Sequence, residues 1–167
     1  MEKNGIINLI SEVLTPTGFK KKGIYWVLTS QELTKTVDLQ KSQFGNYYYI
    51  NYGYIINALP VTLSKRHIYK RITSLDNDER TRIDELLNLD KNIPDEIRTQ
   101  ELKNVLIKKL LHPMSIINTE ADLLDMINKM SQGELNGVFL DVKKYFNLPL
   151  PEKSSNKGKH IINWPTN

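Results

Sequence analysis

The side chains able to do acid–base, metal or nucleophilic chemistry are few in this sequence of 167 residues, and their spacing keeps them apart. His67, His112 and His160 each stand alone with no acidic neighbour at ligand spacing, so a solvated or helix-capping histidine is the expectation for all three. Carboxylates do pair, at Asp84-Glu85, Asp95-Glu96 and Asp122/Asp125. Those pairs fall on helix starts or polar helix faces, where acids favour the helix dipole and solubility rather than a shared acid–base site. There is no cysteine, which excludes disulfides, thiolate catalysis and cysteine-ligated zinc. Nor is there a G-x-S-x-G elbow, a Walker loop or a dinucleotide-binding glycine fingerprint. The expectation is a protein that is not an enzyme and holds neither a metal nor a cofactor.

Binding chemistry is better supplied, and it is concentrated between Phe19 and Asn57. Three stretches there are rich in β-branched and aromatic residues and bounded by turn residues: Phe19 to Leu28, Thr36 to Ser42, and Tyr47 to Ile56. Read with a period of two, the second strand sends Val37 and Leu39 to one face and Asp38, Gln40 and Ser42 to the other. The third sends Tyr48, Ile50, Tyr52, Tyr54 and Ile56 one way, and Tyr47, Tyr49, Asn51, Gly53 and Ile55 the other. The larger apolar set is assigned to the core. That leaves a polar face on which Lys20, Lys22, Gln40, Ser42, Tyr49 and Asn51 could meet and bind a protein partner through hydrogen bonds and rigid aromatic contacts. The alternative is a nucleic-acid surface built from Lys21, Trp26, Lys65, Arg66, Lys70 and Arg71. Ten of the fourteen aromatics lie between Phe19 and Tyr69, and aromatics beside cations can stack bases. The bland reading of both sets is a solvated sheet face.

The elements that must position these residues follow from periodicity. Ile6, Ile7, Ile10, Val13 and Leu14 form a short amphipathic helix ended by Pro16. Gly45-Asn46 supplies the second hairpin turn, and Lys65 to Ile72 alternates as a charged edge strand would. Four helical stretches come next. The first begins at Asp76; the second begins at Pro94 and is stopped by Pro113; the third is capped by Thr119 with Asp122 and stopped by Gly133; the last carries Val138, Phe139, Val142, Tyr145 and Phe146. The expected fold is α+β: an N-terminal helix, a meandering antiparallel sheet of three to four strands, then about four helices packed on it.

At 19.4 kDa the chain suits one domain over residues 1–150, with a polar tail over 151–167 in which His160 to Trp164 could dock back. No secretory leader and no membrane-length apolar run is visible, which points to the cytoplasm. The net charge of +4 is unevenly spread. Residues 1–75 carry ten Lys/Arg against four Asp/Glu, a balance of +6; residues 76–149 carry ten against fourteen, or −4; the tail carries three against one, or +2. Positive charge thus gathers on the strand-rich half.

The run Gly18-Phe19-Lys20-Lys21-Lys22-Gly23, followed by Leu39-Gln40-Lys41-Ser42 and Tyr49-Ile50-Asn51, with Arg71-Ile72 further on, resembles the bacterial family catalogued as domain of unknown function 4304. The likeness covers roughly Leu9 to Leu75, and the helical half matches in general layout. The resemblance implies a small α+β bacterial protein with no assigned enzymatic activity and offers no catalytic residues to carry over. Together with the polar sheet face it leads to an interaction protein, of the immunity or accessory kind, as the expectation.

Overall fold

The computed structural model describes residues 1–60 and 66–149. Helix α1 (Lys3–Leu14) buries Ile6, Leu9, Ile10, Val13 and Leu14, the stripe its periodicity demands. A 3₁₀ turn over Thr15–Thr17 contains Pro16, and Gly18 at φ 96° swings the chain into the sheet.

Among the described residues the sheet has five strands, β1 (Lys20–Lys22), β2 (Tyr25–Thr29), β3 (Leu33–Lys41), β4 (Tyr48–Ile56) and β5 (Ile68–Arg71), paired antiparallel in chain order. The meander is as expected, but the stretch from Phe19 to Leu28 is a hairpin and not one strand. Gly23 at φ 63° allows the reversal, which sets Lys22 opposite Tyr25 and Lys20 opposite Val27. The β3–β4 connection needs positive φ only at Gly45, at 121°; Asn46 does not adopt it.

Both outer strands are shielded from further pairing. β1 is three exposed lysines, whose mutual repulsion disfavours a second chain. β5 is covered instead: Ile68 bridges Val138, Phe139 N–H donates to His67 O at 3.0 Å, and Gly137 sits so close that a Cβ there would lie 2.4 Å from Tyr69 O.

Helices α2 (Asn77–Leu87), α3 (Asp95–Leu106), α4 (His112–Ser115), α5 (Glu120–Asn128) and α6 (Leu140–Tyr145) complete the described chain. Leu33, Val37, Leu39, Ile50, Tyr54 and Ile56 form one apolar cluster with α1 and with Leu102, Leu106 and Leu110. This core closes one side of the sheet, and Trp26 Nε1–H donating to Ser11 Oγ at 3.1 Å ties β2 to α1 across it. Pro113 does not stop a helix. From Ile107 to Leu111 the chain widens into a π turn, with His112 N–H bonded to Ile107 O, and Pro113 enters the first turn of α4, where its missing N–H is no loss. Thr119 and Asp122 do make a reciprocal capping box, but α5 ends at Asn128, before Gly133. Val138 precedes α6 as the bridge partner of Ile68. Among the described residues no helix is long and apolar enough to cross a membrane. The tail over 151–167, with its docking segment, lies outside the described residues.

Candidate functional site

The second face of the sheet carries the polar set, and the strand register decides which residues meet there. Lys22, Tyr25, Asp38, Asn51 and Arg71 are successive cross-strand partners and make one row across all five strands. At the usual strand spacing that row is about 19 Å long. Lys20, Val27, Thr36, Gly53 and Tyr69 make the adjacent row, and Gln40 faces Tyr49 beyond it.

The centre of this face is internally bonded. Arg66 pairs with Asp38 through Nη2, and its Nε–H donates to Thr36 Oγ1 at 2.7 Å. Asn51 Nδ2 donates to Asp38 Oδ2 at 3.1 Å and to Gln40 Oε1 at 3.0 Å, while its Oδ1 accepts from Arg71 Nε at 3.0 Å. The Arg71 guanidinium lies 3.9 Å from the centroid of the Tyr49 ring, and Nη2–H donates to Tyr69 Oη at 3.3 Å. Asn51 is only 2% exposed, yet what covers it is this lattice of side chains. The Arg66 charge is paired, and both arginines are held by hydrogen bonds within the face before anything binds.

Exposed aromatic side chains stand around the lattice. Tyr25 is 41% exposed and Tyr69 36%, and with Lys22, Val27, Thr36, Asp38 and Arg66 they line a recess of about 370 Å³. At the other end, Tyr47 Oη–H donates to Asp84 Oδ1 at 2.7 Å and Tyr47 stacks edge-on against Tyr49. Burial first, then the bond to Asp84, pushes the Tyr47 phenol well above its ordinary value. A larger polar cleft of about 740 Å³ opens there between the sheet and α2, with Phe44 at its rim.

The structure brings together most of the binding set read from sequence. Gln40, Tyr49 and Asn51 are in contact or adjacent in register; Ser42 lies just past the end of β3; Lys20 and Lys22 occupy the opposite rim. The nucleic-acid set is split. Trp26 is fully buried on the helix-covered side and cannot stack a base, Lys21 pairs with it in register, and Lys70 is engaged by Glu134 at 3.1 Å. Only Arg66 and Arg71 reach the open face. Lys65 lies outside the described residues.

Arg66 is the residue that parity misplaces. An even-numbered position before β5 should follow Ile68 and Lys70 to the covered side, but the regular strand starts only at Ile68, and Gly53 leaves a gap into which Arg66 folds. A Cβ on Gly53 would lie 2.9 Å from Arg66 Cδ and 2.0 Å from Ile68 O. A conspicuous glycine amid four aromatics in β4 was the available signal.

His67 also departs from the expectation of a solvated or capping ring. It is buried, with Nδ1 accepting from Ile56 N–H at 2.9 Å and Nε2 bonded to Pro60 O at 3.1 Å, so it braces the approach to β5. Among the described residues no three His, Asp or Glu side chains cluster as metal ligands.

No curated protein and no solved structure matches the chain significantly. A family model does, and it extends beyond the strand-rich part to take in α2, α3 and α5. Matching residues 10–131, the model of the domain of unknown function DUF4304 covers most of the chain, which therefore belongs to that family.

Proposed function

We propose that this protein is a non-enzymatic interaction module, of the immunity or accessory kind, that presents the open face of its sheet to a protein partner. The observation that carries the reading is the state of the two arginines. Arg66 and Arg71 are already held by Asp38, Thr36, Asn51 and Gln40, so the face offers fixed donors and aromatic rings rather than loose cations. Preordered polar groups beside exposed tyrosines suit a protein surface, because little side-chain entropy remains to be lost on contact. The partner would be acidic where it meets the Lys20 and Lys22 rim. A chain without cysteine suits a reducing compartment, and we place the encounter in a bacterial cytoplasm.

A second reading, single-stranded nucleic acid, is favoured by Lys20 and Lys22 standing beside Tyr25. The two differ in salt response. Phosphate binding should weaken about tenfold or more between roughly 50 and 200 mM salt, whereas an interface led by tyrosines and neutral hydrogen bonds should change far less.

The decisive experiment places a photo-cross-linking amino acid at position 69, with position 97 on the exposed side of α3 as control. One protein cross-linked only from position 69, and lost in Arg71→Glu, supports the proposal. The same products from both positions, or cross-links to RNA alone, would overturn it.

A further inference from the structure

The helix-covered side of the sheet contains one residue that does not belong to an apolar core. Lys35 lies on β3 between Leu33 and Val37 and opposite Leu28 and Tyr54, on the face given to the core. It is 4% exposed. Its ammonium donates to Met114 O at 2.7 Å and to Asn118 Oδ1 at 2.9 Å, both neutral acceptors, and it makes no ion pair among the described residues. An ammonium has three N–H donors, so one remains. The nearest acid by its electrostatic influence, Asp122, has one carboxylate oxygen occupied by the backbone N–H groups of Asn118 and Thr119, each at 2.9 Å. Burial lowers the Lys35 pKa below its ordinary value, and Asp122 only partly opposes that.

A buried cation without an anion is costly, and cores of this kind use leucine or methionine instead. Here the cation lies at the wall of a cleft of about 450 Å³, otherwise walled mainly by Phe19, Leu28, Ile107, Leu111 and Met114. That volume is in the range of small-ligand sites. One wall is the π turn over Ile107–Leu111, a local widening that often accompanies function. An apolar slot with a single unneutralised cation is complementary to a small molecule with an apolar body and one negative end.

We propose that this cleft binds a medium-chain monocarboxylate, its head group taking the free N–H of Lys35 and its tail lying against Phe19, Leu28 and Leu111. The site is separate from the open face, and its occupancy does not depend on the partner proposed for that face.

The test titrates the full chain calorimetrically with octanoate, octanol and octylamine. Octanoate should bind about ten- to hundredfold more tightly than octanol, the worth of one charge-assisted hydrogen bond in a dry site, and octylamine should not bind. Lys35→Met should bring octanoate down to the octanol level, and Tyr69→Ala on the other face should leave it unchanged. If Lys35→Met does not fold, Ile107→Trp at the cleft wall, with Lys35 intact, should weaken octanoate and octanol together. Octanoate binding no better than octanol, absent altogether, or unaffected by either cleft variant would overturn the proposal.

Discussion

Gly53 is the single position on which the open face depends most directly. Its missing side chain lets the Ile68 carbonyl approach and lets Arg66 cross to Asp38 and Thr36. An alanine methyl would meet backbone, which cannot swing aside as a flexible side chain can. Gly53→Ala should therefore cost about 2 kcal/mol or more in chemical denaturation, the scale of overpacking. It should also detach Arg66, so that Asp38→Ala, clearly destabilising in the parent protein, costs less in the Gly53→Ala background, where the bond from Asn51 is what it still removes. A double-mutant cycle reads that coupling; equal effects of Asp38→Ala in both backgrounds would remove Gly53 from the account. Residue chemistry alone would have ranked Arg66 among loose cations. Only its neighbour two strands away, Asp38, makes it a fixed part of the face.

Between elements, the helices are joined by polar contacts at their ends as well as by the core. Arg98 on α3 is buried and spends its guanidinium on α2: Nη1 donates to the carbonyls of Glu85, Leu86 and Asn88, and Nη2 to that of Lys91. Glu85 and Leu86 lie in the last turn of α2, Asn88 is its C-cap and Lys91 follows it, so an arginine from the next helix caps the end of α2 and ties down the turn beyond. Arg98→Ala would strand them, and a loss of about 3 kcal/mol in urea unfolding is expected. Sequence periodicity reads Arg98 as an ordinary polar residue, because its partners come from another helix. The other end of α2 is held by charge. Lys109 first, then Ser74 and Lys108, hold the Glu79 carboxyl down to about 2. A carboxyl depressed in the fold contributes above its unfolded value of about 4.3 and ceases to as pH falls towards about 2. Thermal unfolding scans across that window should fall more steeply for the parent protein than for Glu79→Gln. Parallel slopes would show that the cluster is idle in solution.

For the molecule as a whole, the sheet acts as a partition with different chemistry on its two sides. Tyr48, Tyr52 and Tyr54 fill the helix side, while Tyr25, Tyr49 and Tyr69 serve the open side. Burial, with Glu134 adding to it, pushes Tyr52 up to about 12, and burial raises Tyr54 as well. A phenol whose folded value is raised supports the fold fully below its unfolded value of about 10, and that support is lost as pH rises through the folded value. Tyrosinate absorbance from Tyr52 and Tyr54 should therefore appear only with loss of the helix and sheet signal. Tyr52→Phe should move the alkaline unfolding midpoint upward. Ionisation of Tyr52 and Tyr54 while the helix and sheet signal persists would mean that the partition leaks.

Alternation and helical spacing are local properties, and by themselves they determined the α+β order, the meander, the stripe of α1, the Thr119 capping box and which face of β3 and β4 is apolar. The same local rules read the Phe19 to Leu28 stretch as one strand, since a glycine at φ 63° looks like any other glycine until the chain closes on itself. They carried no information on long-range partners. Three-dimensional packing alone decided that Trp26 is buried against α1, that Arg66 crosses to the open face, that Arg98 caps a neighbouring helix and that Lys35 is enclosed by α4 with no counter-ion among the described residues. The physical reason is that each of these depends on groups between 7 and 83 residues apart, whose meeting is set by register and helix packing rather than by sequence neighbours.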